Sequence, residues 1–217
     1  MLCIYGNQKL GILPAFSLPP VDTCPGKTAL CERVCYGLHG RFQYRNVKEA
    51  LKRRFDAADN GHFVGGVISE IKQIQREGLF PFAHGKRPFR LHVVGDFYCV
   101  DYVEKWKEII YSCPEVTFYG YTRSWRCPEL LEPIEELRQL PNVVLQASTD
   151  WSHDDLPPAG WRKACLGGNH STLCGYDTPQ GIHCVECGRC FIHTNSNVRW
   201  KLKYSKLVPA YLLQENK

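Results

Sequence analysis

Apolar residues recur along the middle of the chain with two different periods. In 46–60, Val47, Ala50, Leu51 and Phe55 fall near the 3.6-residue period of a helix, with Asn46 as its cap. In 63–77, Val64, Val67, Ile68, Ile71 and Ile74 share one helical face, and Gly78 ends it. A strand is expected at 89–96, then a helix at 101–112 carrying Tyr102, Val103, Trp106, Ile109 and Ile110. A strand at 116–122, a helix at 129–140 with a break near Pro133, and a strand at 142–148 follow. Outside this block the pattern weakens. Residues 1–23 are punctuated by Gly and Pro and read as an extended lead-in. Residues 151–197 show little periodicity, and 198–213 suit a strand followed by a short helix.

Strands separated by helices imply crossovers and a parallel sheet. The expected fold is therefore α/β, a partial (β/α) barrel or an open parallel sheet, with a Cys-rich, metal-stabilised C-terminal segment. Three parts follow along one compact domain: a cysteine loop over 1–45, the α/β core over 46–150, and a Cys-rich segment with the tail over 151–217. The three strands end in Gly95-Asp96, Thr122-Arg123-Ser124 and Ser148-Thr149-Asp150. In parallel α/β sheets the site lies beyond the carboxyl ends of the strands, so these tails should meet.

The chain has 217 residues, 44% of them hydrophobic, and a formal net charge of +5. That suits a folded protein and permits nucleic-acid binding without arguing for it. The first dozen residues lack a secretory pattern, and no apolar run is long enough for a bilayer. A cytoplasmic location without membrane association is expected. Thiols stay reduced there, so the 12 cysteines read as metal ligands before disulfides.

Cys184, Cys187 and Cys190, with Cys174 upstream and Cys165 as its substitute, carry the strongest signal. Three cysteines at this spacing suit a [4Fe-4S] cluster, and a four-cysteine zinc site is the alternative. Cys24, Cys31 and Cys35 form a second group. Three cysteines on a cluster leave one iron open to another ligand, as a reactive cluster needs; zinc with His39 as fourth ligand competes. Cys3, Cys99, Cys113 and Cys127 stand alone and read as buried apolar residues. Asp96 and Arg123 are candidate catalytic residues, and Trp125, Asp150 and His39 candidate substrate contacts, with His153 a weaker one. Tyr36 to Arg45 interleaves aromatic and basic residues, and Lys48, Lys52, Arg53 and Arg54 continue the basic run, a pattern that would also suit phosphate contacts.

Thr23-Cys24-Pro25-Gly26, Cys31-Glu-Arg-Val-Cys35-Tyr36, Gly40-Arg41-Phe42, His92-Val-Val-Gly95-Asp96-Phe97, Tyr121 to Arg126 and the Cys184 to Phe191 run together resemble the phage and prophage proteins of the gene product 88 family. The resemblance covers nearly the whole chain and implies no particular chemistry. A more distant likeness is to radical S-adenosylmethionine enzymes, which hold an open cluster on a CxxxCxxC loop before a partial barrel. Cys31 and Cys35 match the first pair; the third position holds Leu38, so Cys24 would have to substitute. S-adenosylmethionine binding would follow from that likeness alone. The leading expectation is a redox or radical enzyme with one or two clusters, an electron donor and a small-molecule substrate. The competing one is a zinc- or cluster-stabilised nucleic-acid-binding protein of phage origin.

Overall fold

The computed structural model describes residues 1–151, 156–167, 171–192 and 196–208. Its strands are β1 (Ile4–Asn7), β2 (Gly11–Ala15), β3 (Pro88–Arg90), β4 (Thr117–Thr122), β5 (Val143–Asp150), β6 (Lys163–Leu166), β7 (Thr172–Leu173) and β8 (Val198–Trp200). They form one sheet in the order β1-β2-β3-β4-β5-β6-β8-β7. Only β1 runs antiparallel to its neighbour. The other seven make a parallel sheet curled into half a barrel. The helices are α1 (Ala29–Arg33), α2 (Arg45–Ala58), α3 (Phe63–Arg76), α4 (Val100–Tyr111), α5 (Pro128–Arg138) and α6 (Cys184–Cys187).

One face of the sheet meets α2 to α5. Phe16, Phe89, Phe118, Leu145 and Ala147 alternate onto that face and bury against Phe63, Val67 and Ile71 of α3, Trp106 and Ile109 of α4, and Ile134 of α5. Each such side chain contributes about 1.5–3 kcal/mol of burial, so this layer forms the main core. The other face, inside the curl, carries Leu13, Tyr119 and Val144, covered by Phe191, Val185 and Cys190 from the C-terminal segment. Gly and Pro apart, that segment is thus the lining of the half-barrel.

Helices α2, α3 and α4 and strands β4 and β5 stand where periodicity placed them. The expected break at Pro133 does not occur: α5 runs through it. The amide that Pro133 lacks would have bonded Glu129, in the first turn, and Pro128 supplies a good first residue. The lead-in is a correction, because it forms β1 and β2. Its alternation is short and Pro14 sits within β2, beside the edge strand, where a missing donor is tolerated. The strand expected over 89–96 is a strand only to Arg90. His92 (φ 45°) and Gly95 (φ 83°) turn left-handed there, yet Val93 N still bonds Phe16 O at 2.9 Å. Residues 163–166 and 172–173 add two strands to a segment that showed no period. β8 appears as expected, with Ser205–Leu207 as a single helical turn after it; residues 209–217 lie outside the described residues.

Candidate metal centres

The loop leaving β2 crosses the carboxyl ends of the parallel strands. Leu18 N bonds Val94 O at 3.0 Å, and Asp96 N bonds Thr23 O at 3.1 Å. Two glycines permit this approach. A Cβ on Gly26 would stand 2.0 Å from the Arg123 carbonyl oxygen, and one on Gly95 would stand 2.6 Å from Leu18 Cβ. The loop then enters α1, whose cap is Thr28: its hydroxyl oxygen accepts from Cys31 N at 3.0 Å and donates to Asp150 Oδ2 at 2.8 Å. The two ends of the site are therefore tied through one hydroxyl.

The three strand tails do meet. Asp96 accepts from Phe97 N at 2.8 Å and Arg123 N at 2.7 Å. Arg123 pairs with Asp150 and donates to Thr28 Oγ1 at 3.1 Å and Ser148 Oγ at 3.2 Å. Trp125 Nε1 donates to Ser148 O at 3.1 Å. Arg123, Asp96, Trp125 and Asp150 are 4%, 5%, 8% and 8% exposed. Most of their polar atoms hold strand tails and loop together, while Arg123 Nε is buried with no partner among the described residues. Arg54 likewise donates to Leu2 O, and Lys52 pairs with Asp56, so much of the basic run is turned to internal contacts.

Cys24, Cys31 and Cys35 gather around this frame. Burial raises the ionisation cost of all three thiols. At Cys24 the Asp96 carboxylate adds to it, and Cys31 and Cys35 add further. Arg123 pulls Cys31 back down, and the Gly37 and Leu38 amides pull Cys35 down. Packed together without a cation, such thiols stay protonated; a metal would displace their protons. Leu38 stands in a single helical turn with Tyr36, whose hydroxyl donates to Val93 O. His39 instead lies against Tyr204, ring centroids 4.1 Å apart, with a buried Nε2 that has no partner among the described residues. His153 falls outside the described residues.

The second group lines a single cavity inside the half-barrel. Cys174, Cys184, Cys187 and Cys190 surround it with Lys9 and Tyr121, and its enclosed space is about 20 Å³, room for about one water. Cys174 N is bonded to Arg199 O of β8 at 2.8 Å, and Cys184 N to Lys9 O at 3.0 Å. Cys187 Sγ lies 3.2 Å from where a Gly175 Cβ would be, against the backbone that follows Cys174. Burial raises Cys184 to about 12 and also raises Cys190, while Lys9 and Arg90 oppose the rise at both. Cys165 is elsewhere: it sits on β6 opposite Thr149, near Asp150 and Arg123, and does not line the cavity.

Among the described residues, no three His, Cys, Asp or Glu side chains stand in a geometry that would hold one metal ion. An iron–sulfur cubane spreads its thiolates more widely than a single ion does. The seven cysteines divide into one group of three at the strand ends and one of four around the cavity.

The Gene product 88 family model matches residues 4–191, a span that includes both cysteine groups. The chain belongs to the gene product 88 family. The Gene 88 protein of Mycobacterium phage L5 is 29% identical over 164 residues, and that of Mycobacterium phage D29 is 26% identical over 155. Each match covers 70% of this chain but 63% and 62% of those relatives, so the chain spans less than two thirds of their length. No solved structure matches. Nothing in these comparisons supports the likeness to radical S-adenosylmethionine enzymes. Among the described residues no helix is long and apolar enough to cross a membrane.

In this member of the gene product 88 family, sequence reasoning passed over Lys9, Arg90 and Tyr121 at the second group. Lys9 comes from the hairpin between β1 and β2, Arg90 from the end of β3 and Tyr121 from β4. Only the sheet order brings them beside cysteines 53 to 181 positions away, so spacing carried no signal. Thr28, by contrast, precedes an apolar-then-acidic turn, as a helix cap does, and could have been found.

Proposed function

We propose that the protein is an iron–sulfur protein with two centres and a redox role. The observation that carries this is the gathering of the seven cysteines into two separate groups on one sheet. Cys24, Cys31 and Cys35 sit at the carboxyl ends of its strands, and Cys174, Cys184, Cys187 and Cys190 surround one cavity on its inner face. The three-cysteine group would hold a [4Fe-4S] cluster with one iron open to substrate, and the four-cysteine group an auxiliary cluster. Bound there, the clusters would supply one-electron transfer. The chain's own residues fix the frame. Thr28 sets the start of α1 and hence Cys31; Arg123 and Asp150 hold Thr28; Asp96 binds the β4 tail to the loop that bears Cys24. The trio borders the half-barrel mouth, where a small-molecule substrate would enter.

Iron, sulfide and zinc per chain, measured after anaerobic purification together with the visible absorption spectrum, test this. About eight irons with equal sulfide and a brown chromophore are expected for two cubanes. Zinc with no colour would end the redox reading and make both groups structural zinc sites.

A further inference from the structure

Arg90 is a guanidinium in the interior of the half-barrel without a carboxylate. Its Cζ lies 4.0 Å from the Tyr121 ring centroid and 5.5 Å from that of Tyr119. Its Nε reaches only the His92 carbonyl, at 3.3 Å. Arg90 is partly exposed, and among the described residues it forms no ion pair, unlike the buried Arg123 and Lys107. Partial withdrawal of an unpaired cation from water is unfavourable, so an anion nearby would stabilise it. Tyr121, on which Arg90 stacks, also lines the cavity of the four cysteines. Lys9 lines the same cavity, lies 5.5 Å over the Trp200 ring and likewise has no carboxylate among the described residues. Lys9 thus lines the cavity and Arg90 acts on Cys184 and Cys190 from beside Tyr121, neither with a carboxylate partner among the described residues.

Four thiolates around a divalent ion, or around a cubane core with two positive charges, leave two negative charges in excess. We propose that Arg90 and Lys9 are the counter-charges of the four-cysteine centre, and that they set how readily it accepts an electron. This rests on the metal reading of that group. Reduction adds a negative charge, and a nearby cation in a dry interior favours that state. Arg90 should have the larger effect, because its stacking on Tyr121 fixes it in place. Both are positioning residues, since neither binds the metal.

The test uses the full chain purified anaerobically, as wild type, Arg90→Met, Arg90→Lys, Lys9→Met and the double Met variant. Iron and sulfide content is measured first, then the midpoint potential by titration with redox dyes, followed in the visible spectrum. The expected result is unchanged metal content with a shift to more negative potential in Arg90→Met, a smaller one in Lys9→Met, a larger one in the double variant, and near wild-type behaviour in Arg90→Lys. Should Arg90→Met not fold, Lys9→Met on the exposed hairpin and Arg90→Lys still decide the matter. If the wild type carries zinc, competition with a chromophoric chelator replaces the titration, and roughly tenfold weaker zinc binding is expected in Arg90→Met. Intact metal content with an unmoved potential, or unmoved zinc affinity, would overturn the counter-charge role alone. A wild type without any metal would overturn the metal reading and this inference with it.

Discussion

On the helix side of the sheet, the Trp106 ring lies against Phe16, Phe63, Phe89 and Phe118 with centroids 5.4 to 6.4 Å apart. On the inner side, Arg90 lies on Tyr119 and Tyr121, and four cysteines ring a cavity. The helix side is mostly apolar and continuous, with Trp106 Nε1 as a buried polar atom that has no partner among the described residues. The inner side places charge, phenol and thiol together and buries Tyr119 Oη and Gln146 Oε1 without a partner among the described residues. Buried polar atoms of that kind cost roughly 1–3 kcal/mol each. The contrast separates a layer that supplies stability from a layer that spends it on a site.

The strongest way to break this contrast is to damage the helix side. Trp106→Ala should cost about 3–5 kcal/mol, read by urea unfolding, and should do so equally in metal-loaded and metal-stripped protein. A loss seen only in the stripped form would mean that the two faces are not independent.

A titration sharpens the contrast. His92 is buried on the helix side, where burial first and Arg90 second depress its pKa from 6.5 to about 3. Below pH 6.5 the unfolded chain takes up a proton that the folded one refuses, so stability falls as pH falls from 6.5 towards 3. About 2 kcal/mol should be lost between pH 7 and pH 5. His92→Asn, which tolerates the left-handed backbone at φ 45°, should remove that part of the slope in urea unfolding curves measured across this range.

Cys184→Ser should act on the inner side alone. Unfolding of the helix side should change little, while protease cleavage within 171–192 rises, because that segment opens without the core. Equal protection of the segment in variant and wild type would show that its order does not depend on the four cysteines. The smallest effect is expected at Cys165, beside Thr149 and away from the cavity. Cys165→Ser should leave iron, sulfide and zinc content as in the wild type, and any loss would return Cys165 to the ligand set.

The helix side was readable from the sequence because its information is local. Val67, Ile71 and Ile74 declare a helical face within a few residues of one another, and Phe118 and Trp106 behave as large apolar residues do. The convergence of Asp96, Arg123 and Asp150 followed from the rule for strand ends. What that rule did not carry was their mutual engagement: Arg123 and Asp150 spend their charges on each other and on Thr28. The inner side was much less readable. Its strands β6 and β7 are four and two residues long, too short to show a period. Lys9 and Arg90 looked like ordinary basic residues, and only the order of the strands sets them facing thiols. The turn at His92 was hidden too, since left-handed backbone at a histidine leaves no mark on the pattern of apolar positions.

The position of β8 between β6 and β7 has a consequence for how the chain is made. β7 pairs only with β8, and Cys174, just after β7, is anchored through Arg199 of β8. A ribosome releases residues 198–200 after every one of the seven grouped cysteines has emerged. The helix-packed layer can therefore form during synthesis, domain-core first, whereas Cys174 reaches its place only when β8 joins β6 and gives β7 its pairing partner. Assembly of the four-cysteine cavity is in this way a late event of biosynthesis, timed by the pairing of three residues.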